Sequence, residues 1–135
     1  MCNKRIKLVF RLPIIAVMFL FSCLFSANAQ GITGIWLTEK DESKVEITER
    51  NGAFFGKVIW VKEQTEKAQK GVGITVLRDF VLQNDNSYKG TIFAPHLNKT
   101  VKGTINQDNE NEITVRGYLG ISIFGSSQKW KRVKN

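Results

Sequence analysis

The chain has 135 residues, with 20 Lys and Arg against 12 Asp and Glu, a formal net charge of +8, and only 2 Cys and 1 His. That length fits one small domain rather than a multidomain chain. Both cysteines, Cys2 and Cys23, lie near the N-terminus, so the rest of the chain can hold neither a disulfide framework nor a thiolate metal centre.

Taken in chain order, the first segment reads as a targeting signal. Lys4, Arg5, Lys7 and Arg11 precede an apolar run from Leu12 to Phe25, and Ser26-Ala27-Asn28-Ala29 supplies an Ala-x-Ala cleavage site before Gln30. The run is shorter than the ~20 residues that span a bilayer comfortably. The expectation is a cleaved signal peptide over 1–29, export to the periplasm or medium, and a single domain over 30–135. Leu20-Phe21-Ser22-Cys23 loosely resembles a lipoprotein box, so membrane attachment would follow only from lipidation at Cys23. Cleavage removes four cations and no acids. The remaining 106 residues carry +4, and Lys129, Lys131, Arg132 and Lys134 crowd its C-terminus. With the rest balanced, nucleic-acid binding loses its electrostatic support.

The remainder reads as β throughout. Ser43 to Glu49 alternates polar and apolar residues with period two, the pattern of a strand with one wet face. Asn51-Gly52 follows, a two-residue hairpin signal because both positions accept positive φ. Ala53 to Val61 then puts Phe54, Gly56, Val58 and Trp60 on one face. The spacing predicts eight strands at 34–39, 43–50, 53–61, 73–83, 88–94, 100–107, 112–124 and 127–133. Most connections are hairpin-length, which favours an antiparallel meander. Lys62 to Lys70, KEQTEKAQK, has helix formers but no apolar stripe, and reads as a mobile loop or one helical turn. Eight short strands without disulfides favour a closed barrel, because closure removes exposed edges. The predicted class is all-β, a small antiparallel up-and-down barrel. Gly117 and Gly120 are expected where a long strand bends or bulges, and Gly125 in the turn before the last strand.

Gly34-Ile35-Trp36 resembles the G-x-W pattern of lipocalin-like (calycin) barrels. That resemblance implies a tryptophan closing one end beneath a cation from the last strand, here Trp36 with Trp130 and Arg132. A guanidinium over an indole contributes about 0.5–2 kcal/mol. The chain from Gly34 onward is more closely similar to a family of small exported bacterial proteins classed as a domain of unknown function. The resemblance rests on Gly34-Ile35-Trp36, Ser43 to Ile47, Gly56-Lys57-Val58-Ile59-Trp60, Arg116 to Gly125 and Trp130 to Val133. It implies export and a calycin-like barrel, and no established activity. Two elements common in that family are missing: an Asn- and Pro-rich segment after the third strand, and an Asp-Pro with Gly and Tyr in the middle hairpin.

Catalytic groups are sparse. His96 follows Pro95 in a turn with no partner at useful spacing, and a lone histidine without cysteine makes a poor zinc site. Ser122, Ser126 and Ser127 lack a G-x-S-x-G elbow. The carboxylates gather in turns, away from the fixed cleft that glycoside hydrolysis needs. No catalytic residue, metal site or cofactor is expected.

Trp36, Phe54, Val58, Trp60, Val101, Ile105, Ile113 and Val115 are expected to face inward, with Gly56, Gly90, Gly103 and Gly117 leaving room among them. Arg116 could meet a ligand from inside the barrel, or pair with Glu46 or Asp79, since a buried charge needs a partner. The candidate ligand-binding residues are Trp36, Phe54, Trp60, Arg116 and Tyr118, around an apolar pocket at one mouth beneath residues 62–72. Two functions fit: a non-enzymatic module that binds a small apolar or amphipathic ligand, or a side-chain-filled barrel that meets an envelope protein.

Overall fold

The computed structural model describes residues 31–118 and 126–134. The segment 1–29 with its lipoprotein box, the end of the predicted strand 112–124, Gly120 and Gly125 lie outside the described residues. Eight strands form a closed barrel in which every neighbour in sequence is a neighbour in space. They are β1 (Gly34–Leu37), β2 (Ser43–Arg50), β3 (Ala53–Val61), β4 (Thr75–Asn84), β5 (Ser87–Ala94), β6 (Lys99–Asn109), β7 (Glu112–Tyr118) and β8 (Ser126–Arg132). All pairings are antiparallel, and β8 returns to β1 to close the ring. This is the up-and-down barrel that the sequence pattern predicts.

Local chemistry sets the strand ends. Asn51 and Gly52 both take positive φ (52° and 82°), the mirror-image turn whose twist matches a hairpin. β4 starts at Thr75 rather than 73, because Gly73 turns the chain at φ 94° and donates its N–H to the Val58 carbonyl at 2.7 Å. The 62–74 connection holds one helical turn, α1 (Glu66–Gln69), with Thr65 Oγ1 accepting the Ala68 N–H at 3.2 Å as its N-cap.

Two irregularities decide what faces the core. In β3 the pairing slips, so Val45 opposes Val58 while Lys44 opposes Trp60. The extra residue turns Ile59 and Trp60 outward and brings Val61 back against the core. Trp60, expected inside, is therefore on the outer wall with the Lys44 ammonium 5.1 Å from its ring centre. In β4 a bulge centres on Asp79, at φ 54°. It allows Leu77 and Phe80, an odd and an even position, to be buried together. Strict alternation would have put Val81 inside; it is exposed.

Gly117 is not the expected bulge. It sits in an unbroken ladder between Gly103 and Ser126. The inward glycines also differ in purpose. A Cβ on Gly90 would stand 2.7 Å from the Arg78 carbonyl oxygen and 2.8 Å from the Phe80 Cα. One on Gly56 would meet the Leu77 side chain at 2.7 Å, and one on Gly103 the Ile92 Cδ1 at 2.6 Å. These glycines admit large neighbours from adjacent strands rather than leaving space. At Gly117 the nearest atoms, Val101 Cγ2 and Ile92 Cδ1, lie 3.4 and 3.7 Å away, ordinary contacts.

This difference is measurable by chemical denaturation. Gly90→Ala drives a methyl into rigid backbone, and its unfolding free energy should fall by about 1–3 kcal/mol. Gly117→Ala should leave stability unchanged or raise it slightly.

Candidate functional site

The barrel has two unlike ends. The closed end gathers the start of β1, the ends of β2, β4, β6 and β8, and the segment before β1. Trp36 is fully buried there and donates Nε1–H to the Ile32 carbonyl at 2.8 Å. The Arg132 guanidinium lies over the indole, 4.4 Å from the ring centre. Its three nitrogens donate to three carbonyls: Nε to Glu110 at 2.7 Å, Nη1 to Thr33 at 2.6 Å and Nη2 to Gly31 at 2.8 Å. Burial lowers the pKa of Arg132 from its usual value, and Glu110 opposes that shift. Gly34 is required by the same contact. Its φ is 131°, and a Cβ there would stand 2.6 Å from Arg132 Nη1.

Phe54 and Tyr88 pack edge to face at 5.2 Å. Burial, and secondarily Glu49, raises the Tyr88 pKa. Trp36, Phe80, Ile32, Ile47, Ile105 and Ile113 complete a dense plug in which every described buried polar side-chain atom has a partner.

The opposite end is built differently. Here Thr38, Glu42 and Ser43, residues 93–97 and Lys99, and Ser126 and Gln128 border a cavity of about 410 Å³. Its wall is apolar: Val45, Val58, Leu77, Ile92, Val101 and Val115, with Trp130 among the lining residues. Trp130 is buried and donates Nε1–H to Gln128 Oε1 at 3.0 Å, so its polar atom is satisfied without a ligand. Thr38, Glu42, Ser43, His96, Lys99, Ser126 and Gln128 are the polar lining groups. Among the described residues no three His, Cys, Asp or Glu side chains approach closely enough to hold a metal ion.

The residues expected to bind a ligand sit elsewhere. Trp36 and Phe54 belong to the closed-end plug, and Trp60 is outside. Arg116 points outward too, donating Nη1–H to Ser127 Oγ at 3.0 Å, with its guanidinium 5.2 Å from the Tyr118 ring centre. Tyr118 shares a hydrogen bond with Thr104 Oγ1 at 3.2 Å. Neither enters the barrel, because β7 buries the alternate positions Ile113 and Val115. Glu46 and Asp79, weighed as partners of Arg116, lie on β2 and β4, neither adjacent to β7. Trp130 separates from the Trp36–Arg132 pair and faces the cavity instead. Val58, Val101 and Val115 do face inward as expected. Val76, Leu77 and Ile92 were legible only as members of apolar strands; the Asp79 bulge, which sets the β4 face, leaves no strong sequence signal.

A one-ended barrel, plugged beneath a Trp–Arg pair and hollow at its mouth, is lipocalin-like in class. The chain belongs to an uncharacterised protein family conserved in bacteria (DUF2147), whose pattern matches residues 34–132. It is similar in fold to "Protein HP1028 from the human pathogen Helicobacter pylori", which is described as belonging to the lipocalin family. The two share 21% identity with a TM-score of 0.64, over 79% of this chain and 86% of that one. No curated protein matches the chain.

The closed end gives a clear mutational expectation. A hydrogen bond from a charged donor contributes about 1.5–3 kcal/mol, so the three carbonyl contacts outweigh the stacking term of about 0.5–2 kcal/mol. Arg132→Lys keeps the charge but cannot span three divergent carbonyls. It should lower unfolding free energy by about 2 kcal/mol or more in a denaturant titration, and Arg132→Met by at least as much.

Proposed function

We propose that the protein is a non-enzymatic carrier that holds a small apolar or amphipathic molecule in the mouth cavity. The observation that supports this most directly is the 410 Å³ apolar space in an otherwise dense barrel. That volume lies within the range of small-molecule sites, about 300–1,000 Å³. Burial against aliphatic walls and the Trp130 indole supplies the driving force, which scales with apolar area removed from water. The polar groups at the rim suit a ligand with one hydrophilic end. The lipocalin-like fold is consistent with such a role. The charge and apolar pattern of residues 4–29 supports export, so we place the carrier in the bacterial envelope or medium.

Gly117 offers a direct test, because its missing side chain borders the cavity. Gly117→Leu should occupy part of the space and narrow it while leaving the melting temperature unchanged or higher. Organic extraction of the purified native protein followed by mass spectrometry should yield a stoichiometric small molecule, and the leucine variant should lose it. An empty extract from the native protein, with no uptake of fluorescent fatty-acid or sterol probes, would reject carriage and leave the protein-partner role. Export is tested separately: N-terminal sequencing of protein secreted from a bacterial host should begin at Gln30.

A further inference from the structure

We propose that the outer wall of β5–β8 is a docking face for an anionic lipid surface. This rests on side chains that point away from the cavity, and so does not depend on the carrier reading.

The segment 86–107, which supplies β5 and most of β6, contains no Asp or Glu, and neither do Ile113–Tyr118 nor Ser126–Lys134. The acids lie at its margins: Asp79 beside Lys89 and Lys102, Asp85 and Glu110 in turns, and Asp108 and Glu112 at the β6–β7 ends. Register then converts an acid-poor sequence into a patterned cationic surface. One cross-strand row runs Lys89–Thr104–Arg116–Ser127, and the next runs Arg78–Thr91–Lys102–Tyr118. Lys129 continues the pattern opposite Thr114, whereas Lys131 stands opposite Glu112, where the pattern ends. Strands lie about 4.8 Å apart, so cations two strands apart within a row are spaced by roughly 10 Å. Offset rows produce a checkerboard of positive charge separated by hydroxyl groups. Lys89, Lys102, Lys129 and Lys131 are all exposed.

The form of this surface selects the kind of anion. Lys89, Thr91, Lys102, Thr104 and Tyr118 border a shallow hollow with the Asp79 carboxylate at its edge, which suits discrete headgroup phosphates better than the continuous backbone of a nucleic acid. Non-specific single-stranded nucleic-acid binding also relies on free aromatic faces for base stacking. Tyr118 is not such a platform, because Arg116 covers its ring and Thr104 holds its hydroxyl. The Ser127 hydroxyl, which accepts from Arg116, can donate its own proton to a headgroup oxygen between the cations. Each cation held close to an anionic bilayer raises the association constant about fivefold. Several on one face therefore bind appreciably where the chain's modest overall charge would not.

The test is co-sedimentation of protein, purified after expression of the whole chain, with vesicles of phosphatidylcholine alone or mixed with phosphatidylglycerol. The neutral vesicles report any contribution of the apolar N-terminal sequence. Binding should be much stronger to the mixed vesicles and should weaken at high salt. Lys89→Glu combined with Lys102→Glu should weaken it about tenfold or more, and the corresponding Lys→Gln pair should weaken it to a lesser degree. A thermal melt confirms that each variant folds, and the Gln pair decides the matter if the Glu pair does not. Lys57→Glu with Lys67→Glu, which makes the same net-charge change away from this wall, should leave binding intact. Equal binding to neutral vesicles, insensitivity to the β5–β6 substitutions, or an equal loss in the Lys57/Lys67 control would overturn the proposal. So would binding to a short single-stranded oligonucleotide as tight as to the anionic vesicles.

Discussion

The first and last strands share only two register pairs, Trp36 with Arg132 and Leu37 with Lys131. Closure of the barrel at this seam depends on the Arg132 guanidinium. It joins the backbone before β1 to the β6–β7 turn while stacking on Trp36. Carbonyl oxygens that would otherwise lose their water at the closed end gain a charged donor. The geometry also explains why Gly34 precedes Trp36 by two residues: the guanidinium occupies the place of a side chain there. With one end sealed, the interior can be dense below and hollow above.

Two extra residues in the ladder distribute the side chains between those regions. The β3 irregularity puts Val58 and Val61 inside and Trp60 outside, and the Asp79 bulge turns both Leu77 and Phe80 inward. Phe80 then lies across Gly90, filling the lower barrel, while Ile92 lies across Gly103 beside the cavity. Without these shifts, Trp60 would point into the barrel and Phe80 out of it. The cavity is bordered by Val45, Val58, Val76, Val101 and Val115 and by Gly117, with Phe93 and the Trp130 indole beside them. The same alternation that aims Val101 and Val115 inward aims Lys102 and Arg116 outward, so cavity and cationic wall are two faces of one set of strands.

Most of the architecture was legible before any coordinates. Period-two alternation in Ser43–Glu49 and Thr100–Ile105, the Asn51-Gly52 turn, and hairpin-length connections locate strands whose bounds shift only slightly in the structure. The site was legible only in part. Val58, Val101 and Val115 were identifiable because they lie on regular stretches. Trp60 departs from the alternation because the β3 irregularity inserts one residue before it. Arg116 and Tyr118 are chemically distinctive, yet their strand has its parity fixed by Ile113 and Val115, which places them on the outer surface.

The sequence by itself determined the β class, the number and order of strands, the absence of a cysteine framework from the domain, and the Gly-x-Trp and C-terminal cation that meet at the seam. These are local or compositional properties, carried by periodicity, turn chemistry and residue type. Only the tertiary structure decided which faces point inward past each bulge, that the inward glycines mostly accommodate neighbours, and that a cavity survives at one end. It also brought Lys89, Lys102 and Arg116 onto one surface. A slip of one residue exchanges the two faces of a strand, and such slips are set by long-range pairing and packing rather than by the residues next to them in the chain.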